Sequence, residues 1–167
     1  SYRGRCERPG DRIKKRVVGA EQKPFHQLKL VVDTNIVFSA LINTNNRMVE
    51  ILLHPENRIK FYAPYLLKEE ITRYQEKLAA SSKLSSPTLT EVSEKIIDKL
   101  VFISEDLIST ESWNQAFKLV SKIDQNDTPF VALAIDLNCQ LWTGDKKLAQ
   151  GLQNNSHLVI TTAELNY

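Results

Sequence analysis

Residues 28–36 read LKLVVDTNI, and this stretch decides the fold that we expect for the whole chain. Leu28–Val32 is a short apolar run with β-branched residues, which is typical of a buried strand. Asp33 follows the run directly, and residues 34–42 then show a helical pattern. A buried strand that passes at once into a helix is the opening of an α/β fold.

The same alternation of strand and helix continues along the chain. We expect strands at residues 28–32, 59–62, 101–104, 140–143 and 158–161. We expect helices at residues 34–42, 47–53, 64–80, 88–100, 111–123, 128–137 and 146–152. The pattern predicts a three-layer α/β/α sandwich with a central, mostly parallel sheet, formed as one domain by residues 28–167. Residues 1–27 show no sustained period and are predicted to be a basic N-terminal arm.

Composition indicates an ordinary globular protein. The chain has 167 residues, of which 42% are hydrophobic and 25% charged, as in soluble domains. No apolar run has the length of a membrane span and the N-terminus lacks an apolar signal core, so we expect no membrane and a cytoplasmic location. Two isolated cysteines, Cys6 and Cys139, and three scattered histidines argue against a zinc site.

Four carboxylates stand at the edges of apolar segments. They are Asp33 in KLVVDTN, Glu70 in LLKEEI, Asp127 in DTPFVALA and Asp145 in QLWTGDKKL. Asp33 and Asp145 directly follow predicted strands, and ligands of parallel sheets bind beyond the carboxyl ends of the strands. A desolvated carboxylate is costly unless a positive charge offsets it. A divalent cation bound by the four acids would do so, and Mg²⁺ or Mn²⁺ suits carboxylate oxygens.

Helical geometry favours Glu70 over its neighbour Glu69. Leu67, Ile71, Tyr74 and Leu78 form one narrow apolar stripe on the predicted helix over residues 64–80. At about 100° per residue, Glu70 projects about 70° from the centre of that stripe and Glu69 about 170°. Glu69 is therefore expected in solvent and Glu70 on an inward-facing rim.

The helix over residues 111–123 carries Trp113, Phe117 and Val120 on one side.

Each acid also has an ordinary structural role that competes with metal binding. Asp33, Asp127 and Asp145 precede predicted helices and could cap them, with Thr128 as a competing cap beside Asp127. Glu70 could pair with a nearby Lys or Arg. Asn35 and Thr143 are expected to orient carboxylates by hydrogen bonding, and Asp124 is either an outer acid or an exposed one.

The residue types point to hydrolysis by activated water. No Ser or Cys nucleophile with a His partner is visible in the sequence. A metal ion held by the acids would lower the pKa of bound water and neutralise charge on a phosphodiester, and a pair of ions would clamp both reacting oxygens. One ion and two ions are both compatible with the sequence.

At these residues the chain resembles the PIN-domain family, which includes metal-dependent ribonucleases and VapC-like toxins. LVVDTNIVFSAL resembles the first strand and first acid of that family, PYLLKEEI the helix with its glutamate, and DTPFVALAIDLNCQLWTGDKKL its C-terminal signature. The resemblance covers residues 28–161. It implies an endoribonuclease that uses Mg²⁺ or Mn²⁺ at Asp33, Glu70, Asp127 and Asp145. It also implies RNA as substrate and the homodimer that relatives often form, and many relatives are toxins held in check by an antitoxin protein as partner.

Two other functions compete with this interpretation. A haloacid-dehalogenase-type phosphohydrolase is suggested by TGDKK, but that chemistry needs a second Asp where this chain has Asn35. A non-catalytic PIN-like domain that binds nucleic acid or a protein is the second alternative. The complete set of four acids argues against it, since binding alone would not require them.

Charge is distributed unevenly along the chain. Residues 1–29 carry a net charge of +6, and the remainder carries −4. A basic segment of this kind suits a polyanion such as nucleic acid, so Arg12, Lys14, Lys15 and Arg16 are predicted to bind phosphates. An extension without a function remains the other interpretation of this segment.

Overall fold

The computed structural model describes residues 27–165. The strands in this range are β1 (Leu28–Val32), β2 (Ile59–Pro64), β3 (Leu100–Ile103), β4 (Gln140–Trp142) and β5 (Val159–Ile160). The helices are α1 (Thr34–Ile42), α2 (Arg47–Leu53), α3 (Tyr65–Arg73), α4 (Gln75–Ser81), α5 (Ser86–Lys99), α6 (Thr110–Val120), α7 (Thr128–Asp136) and α8 (Lys146–Gly151). Within the described residues, none of the helices is long and apolar enough to cross a membrane.

The five strands form one parallel sheet in the order β3-β2-β1-β4-β5. β1 is central, with Val31 opposite Tyr62 of β2 and Leu141 of β4. The chain builds outward from β1 first on one side and then on the other, so the order reverses between β1 and β4. This reversal creates a crevice beyond the carboxyl ends of those two strands. The predicted α/β/α sandwich with a parallel sheet is confirmed.

The core is centred on β1 and on α7, which lies against β1, β2 and β4. Residues 130–134 of α7 are all buried, and a helix that is apolar on every side belongs inside a protein. Trp142 of β4 is fully buried, with its ring centroid 5.9 Å from that of Phe61 on β2. The strand ends that precede Asp33 and Thr143 are therefore packed against the buried core.

The single helix predicted over residues 64–80 is wrong in one respect, because the structure breaks it in two. Pro64 is the last residue of β2, and α3 and α4 meet at Tyr74, whose backbone leaves helical geometry at φ −102° and ψ 14°. Tyr74 is 41% exposed. Its ring meets the ring of Phe38 edge-on, with centroids 5.9 Å apart. This contact with α1 is a tertiary interaction that helical periodicity does not reveal.

The buried residues of α6 lie on a different face of the helix from the aromatic residue Phe117. Ser112, Ala116 and Val120 are the buried ones, while Phe117 is 49% exposed. Ser112 tolerates burial because its hydroxyl donates a 2.9 Å hydrogen bond to Oδ1 of Asp136 on α7. Small residues let α6 approach α7 closely, and Phe117 is left on the surface.

Candidate active site

Asp33 lies at the carboxyl end of β1, directly on the crevice. Its backbone N–H donates to the Trp142 carbonyl at 3.0 Å, which joins the ends of β1 and β4. The side chain is only 5% exposed. Asp33 occupies the N-cap position of α1, but its side chain makes no capping hydrogen bond there, so the capping role considered for its carboxylate is wrong. Instead, Oδ2 accepts hydrogen bonds from Thr143 Oγ1 at 2.6 Å and from Asn35 Nδ2 at 3.1 Å.

Thr143 and Asn35 connect Asp33 to the turn that carries Asp145. Thr143 is fully buried, and its hydroxyl accepts from the Asp145 N–H at 3.0 Å while it donates to Asp33. The Gly144 N–H donates to Asn35 Oδ1 at 3.0 Å. The turn needs no left-handed glycine, because no glycine in residues 27–165 has positive φ. These bonds fix the relative positions of two acids from adjacent strands.

Asp145 does cap a helix, as its ordinary role predicts. Its Oδ1 accepts from the backbone N–H groups of Lys147 at 2.8 Å and Leu148 at 3.2 Å. Both capping bonds use the same oxygen, which leaves Oδ2 outside the cap. Capping therefore holds this carboxylate in place without using all of its acceptor capacity.

Glu70 reaches the site from α3. The Thr34 hydroxyl, at the start of α1, donates a hydrogen bond to Glu70 Oε2. Glu70 is half-buried and Glu69 is exposed, which agrees with the choice made from helical geometry. Within the described residues Glu70 has no Lys or Arg within ion-pair distance, so the predicted alternative of an ion pair is wrong.

Asp127 stands just before α7 and is the least satisfied of the four acids. It makes no capping hydrogen bond, so its ordinary role is also wrong. Thr128 does not replace it as a side-chain cap, because its hydroxyl donates to the Gln125 carbonyl at 2.6 Å. Oδ2 of Asp127 is buried without a hydrogen-bond partner among the described residues. A buried, unpaired carboxylate oxygen is costly and calls for an explanation, such as an ion.

The electrostatics show that the four acids share one region. Burial raises the pKa of Asp33 to about 6 against the lowering effect of the Thr143 hydrogen bond, and the charges of Asp145 and Glu70 raise it further. Burial likewise raises the pKa of Asp127 to about 7, followed by repulsion from Asp33, Asp124, Asp145 and Glu70. Mutual repulsion of this kind requires the carboxylates to be near one another. The four acids therefore interact electrostatically, and the hydrogen bonds of Thr143 and Thr34 connect Asp145 and Glu70 to residues at the end of β1.

Asp124 is exposed and lies at the edge of this group. Its Oδ1 accepts from the Asn126 N–H at 2.9 Å, which caps the short 3₁₀ turn before α7. Its charge still contributes to the raised pKa of Asp127. Asp124 is thus an exposed acid that adds to the field of the site.

The donor set fits a hard cation that keeps much of its water. Within residues 27–165, no three His, Cys, Asp or Glu side chains form a ready-made metal cage. Mg²⁺ does not need such a cage, because it is usually held by one or two carboxylates and retains several waters. The unpaired oxygen of Asp127 and the raised pKa values of Asp33 and Asp127 are the features that a cation would relieve.

Sequence reasoning missed two residues that support the site. Thr34 was matched only as part of a motif, yet it holds Glu70. Glu105 follows β3, and its Oε1 accepts from the Leu66 N–H at 2.7 Å, so it fixes the first turn of the helix that carries Glu70. An acid directly after a strand end was the available signal for Glu105. The predicted phosphate-binding residues Arg12, Lys14, Lys15 and Arg16 lie outside the described residues.

Known proteins are similar to this chain over most of its length. A family model described as the PIN domain matches residues 31–165. The uncharacterised protein MJ1680 of Methanocaldococcus jannaschii is 28% identical over 143 residues, which are 83% of this chain and 84% of that protein.

Two solved structures share the fold. VapBC2 from Rickettsia felis, bound to a DNA fragment from its promoter, has a TM-score of 0.59 at 16% identity and covers 80% of this chain and 98% of its own. PAE2754 from Pyrobaculum aerophilum has a TM-score of 0.57 at 13% identity. The match covers 87% of this chain and 93% of that chain. With the family match over residues 31–165 and the predicted resemblance at the four acids, the chain belongs to the PIN domain family.

Proposed function

We propose that this protein is an endoribonuclease that hydrolyses RNA phosphodiesters with Mg²⁺ or Mn²⁺ at Asp33, Glu70, Asp127 and Asp145. What supports the proposal is the electrostatic interaction of Asp127 with the other three acids, together with its buried Oδ2 atom, which has no hydrogen-bond partner among the described residues. Nuclease activity and divalent metals are general features of the PIN family. Membership of that family leaves the haloacid-dehalogenase alternative without support.

The four acids would hold the cation, and neighbouring groups would orient their carboxylates. Thr143 and Asn35 fix one oxygen of Asp33, which leaves its other oxygen for a cation. The backbone cap at Asp145 and the Thr34 hydroxyl at Glu70 restrain those two carboxylates in the same way. When bound, the cation supplies activation of water and neutralises charge on the phosphodiester.

Protonation couples the site to pH. With a pKa of about 7, Asp127 carries a proton for part of the time at neutral pH when no cation is present. A cation binds the ionised carboxylate, so its binding releases that proton. Cation affinity should therefore increase as the pH rises toward and above 7.

Neighbouring glutamates offer a matched test of the proposal. Glu70→Gln should reduce cleavage of a single-stranded RNA in Mn²⁺ by at least about 100-fold, on the scale of losing a group that acts in catalysis. Glu69→Gln, one residue away and exposed, should cleave like the wild type. Equal rates for the two variants, or cleavage by the wild type that persists in EDTA, would rule out the assignment of Glu70 and of the metal.

A protein partner is a further part of the proposal. The similarity to Rickettsia felis VapBC2 supports an antitoxin partner and a toxin role, and the family resemblance supports a homodimer. Toxicity on expression, relieved by co-expression of one specific protein that co-purifies with the chain, would support the toxin role. Growth unaffected by an active enzyme would count against it. A cytoplasmic location stays a prediction.

The non-catalytic alternative makes the opposite forecast. A domain that only binds nucleic acid would retain RNA affinity and show no cleavage in Mn²⁺ or Mg²⁺. The unpaired buried carboxylate of Asp127 has no use in such a domain, which favours the enzyme.

A further inference from the structure

An open groove of about 620 Å³ lies beside the acid site, and of the four acids Glu70 lines it. Glu70 of α3 lines it, and so do Asn126 and Thr128, the two residues on either side of Asp127. The far wall comes from α6. A molecule that lies in this groove would therefore lead directly to the proposed catalytic acids.

Three aromatic side chains line this groove. Trp113 and Phe117 are four residues apart on α6, so they share a face of that helix. Tyr74, at the break between α3 and α4, is the third. Phe117 and Tyr74 are 49% and 41% exposed. Large apolar rings left in solvent beside a site commonly mark an interaction surface.

The structure holds two of these rings in place without covering them. Trp113 Nε1 donates to the Glu105 carbonyl at 3.3 Å, and the edge-on contact with Phe38 positions Tyr74. Phe117 has no ring partner among the described residues. These rings are displaced from the core because α6 packs through Ser112 and Ala116 instead.

The polar lining of the groove matches nucleotides. Asn114 and Asn126 offer amide groups that can donate and accept, as base edges require. Arg73 lines the groove, is exposed and has no acid within ion-pair distance in residues 27–165. Apart from Glu70, no acid among the described residues lines the groove. Aromatic rings together with amides and an arginine are the chemistry by which proteins hold single-stranded nucleic acid.

We propose that this groove binds the unpaired bases of single-stranded RNA beside the scissile phosphate, with Phe117, Trp113 and Tyr74 as stacking surfaces. Arg73 would contact a backbone phosphate. The proposal deepens the proposed function and rests on it for the position of the scissile bond. It explains why the substrate would be unpaired, because bases within a duplex cannot stack on protein rings.

Intrinsic fluorescence tests the stacking directly. The chain has two tryptophans, and Trp142 is fully buried, so Trp113 is the one that an RNA in the groove can reach. An oligouridylate of about twelve nucleotides, added to the full chain in EDTA so that no cleavage competes, should quench Trp113 emission on binding. The quenching should be lost in Trp113→Phe, while binding measured by anisotropy of the labelled RNA persists.

Variants of Phe117 separate stacking from general contact. Phe117→Ala should weaken RNA binding about tenfold, and Phe117→Tyr should restore it, because stacking on one ring contributes on that scale. An oligonucleotide with abasic positions at its centre should bind the wild type about tenfold more weakly than the intact one. Against Phe117→Ala, the two oligonucleotides should bind alike. Lys118→Ala, next in sequence and exposed, serves as the surface control.

The outcomes distinguish this proposal from the proposed function. Absent quenching, equal binding of intact and abasic RNA by the wild type, or tight binding of duplex RNA would overturn the groove assignment. If Phe117→Ala weakened the binding of a protein partner and left RNA binding unchanged, the groove would be a protein-docking surface and the proposal would be overturned. Tighter binding of the matching DNA strand would overturn the choice of RNA. If stacking is found but Mn²⁺ supports no cleavage, the enzyme proposal fails and the groove stands.

Discussion

At the residue scale, the site consists of carboxylates that have no Lys or Arg partner among the described residues. Asp33 and Asp127 both have raised pKa values, mainly because they are buried. Neither faces a Lys or Arg at ion-pair distance in the described part of the chain. A folded protein that keeps such groups without a counter-charge gives up stability at neutral pH, and a bound cation would recover it.

The pH dependence of stability follows from these shifts. A carboxyl group whose pKa is raised by folding binds its proton more tightly in the folded state, so it favours folding at low pH. That contribution is lost as the pH rises from about 4, the unfolded value, through about 6 for Asp33 and about 7 for Asp127. In EDTA, Asp127→Asn should therefore raise the melting temperature at pH 8 and flatten its decline between pH 5 and pH 8.

Thermal unfolding followed by circular dichroism measures this effect. Asp98→Asn, at an exposed position on α5, is the control and should track the wild type. A wild type that gains stability between pH 5 and pH 8 in EDTA would show that the carboxylates are not strained. Added Mn²⁺ should raise the melting temperature of the wild type more than that of Asp127→Asn.

Thr143 is the second residue whose removal should be diagnostic. Its hydroxyl donates to Asp33 and accepts from the Asp145 N–H, so Thr143→Val removes both contacts at nearly constant volume. We expect kcat to fall about 10- to 100-fold, the usual cost of losing an outer partner of a metal ligand. Thr143→Ser keeps the hydroxyl and should retain most of the activity. Equal kinetics for the Val and Ser variants would contradict the positioning role.

At the element scale, strand ends place the acids and helix starts fix their direction. β1 and β4 deliver Asp33 and Asp145 to one edge, while α3 and the start of α7 bring Glu70 and Asp127 toward it. Alternating strands and helices made this edge predictable from the sequence, because parallel strands have their carboxyl ends on the same side. The choice of Glu70 over Glu69 also followed from local geometry alone.

Tertiary contacts account for what the sequence did not predict. The break at Tyr74 depends on the ring contact with Phe38, and the exposure of Phe117 depends on how α6 meets α7. Ser112 is buried on α6 because its hydroxyl donates a hydrogen bond to Asp136, a partner 24 residues away in the sequence. Helical periodicity ranks residues by polarity and cannot weigh a partner that is distant in sequence.

Glu105 provides the test at this scale. Its carboxylate accepts from the Leu66 N–H in the first turn of α3, which carries Glu70. Glu105→Ala should cost about 1 kcal/mol of stability, as the loss of a cap does, and should also lower RNA cleavage. Asp106→Ala, exposed and adjacent, should change neither. Unfolding in urea and cleavage rates in Mn²⁺ would measure the two effects, and wild-type behaviour of Glu105→Ala would contradict this role.

At the scale of the whole molecule, basic residues are concentrated at the start of the sequence. Residues 1–29 carry a net +6 and the remainder −4, and the acids of the site belong to the negative part. The predicted role of the arm is to attract RNA toward a site that would otherwise repel it. The predicted arm and the proposed site would then have separate and testable parts in binding.

Neutralising the arm tests that division in the full chain. Replacing Arg12, Lys14, Lys15 and Arg16 with glutamine should weaken RNA binding and reduce its dependence on salt, by about 0.7 in logarithmic slope for each lost phosphate contact. The turnover of bound RNA should not change. An unchanged salt slope would show that these four residues do not contact the RNA.

The central claim is that the four converged carboxylates form one metal-dependent centre that cleaves RNA. The most direct measurement is the cleavage of an end-labelled single-stranded RNA in Mn²⁺ by the wild type and by Asp33→Asn. We expect the wild type to cleave, EDTA to abolish cleavage, and Asp33→Asn to remain folded and inactive. Cleavage by Asp33→Asn at the wild-type rate, or by the wild type in EDTA, would contradict the account.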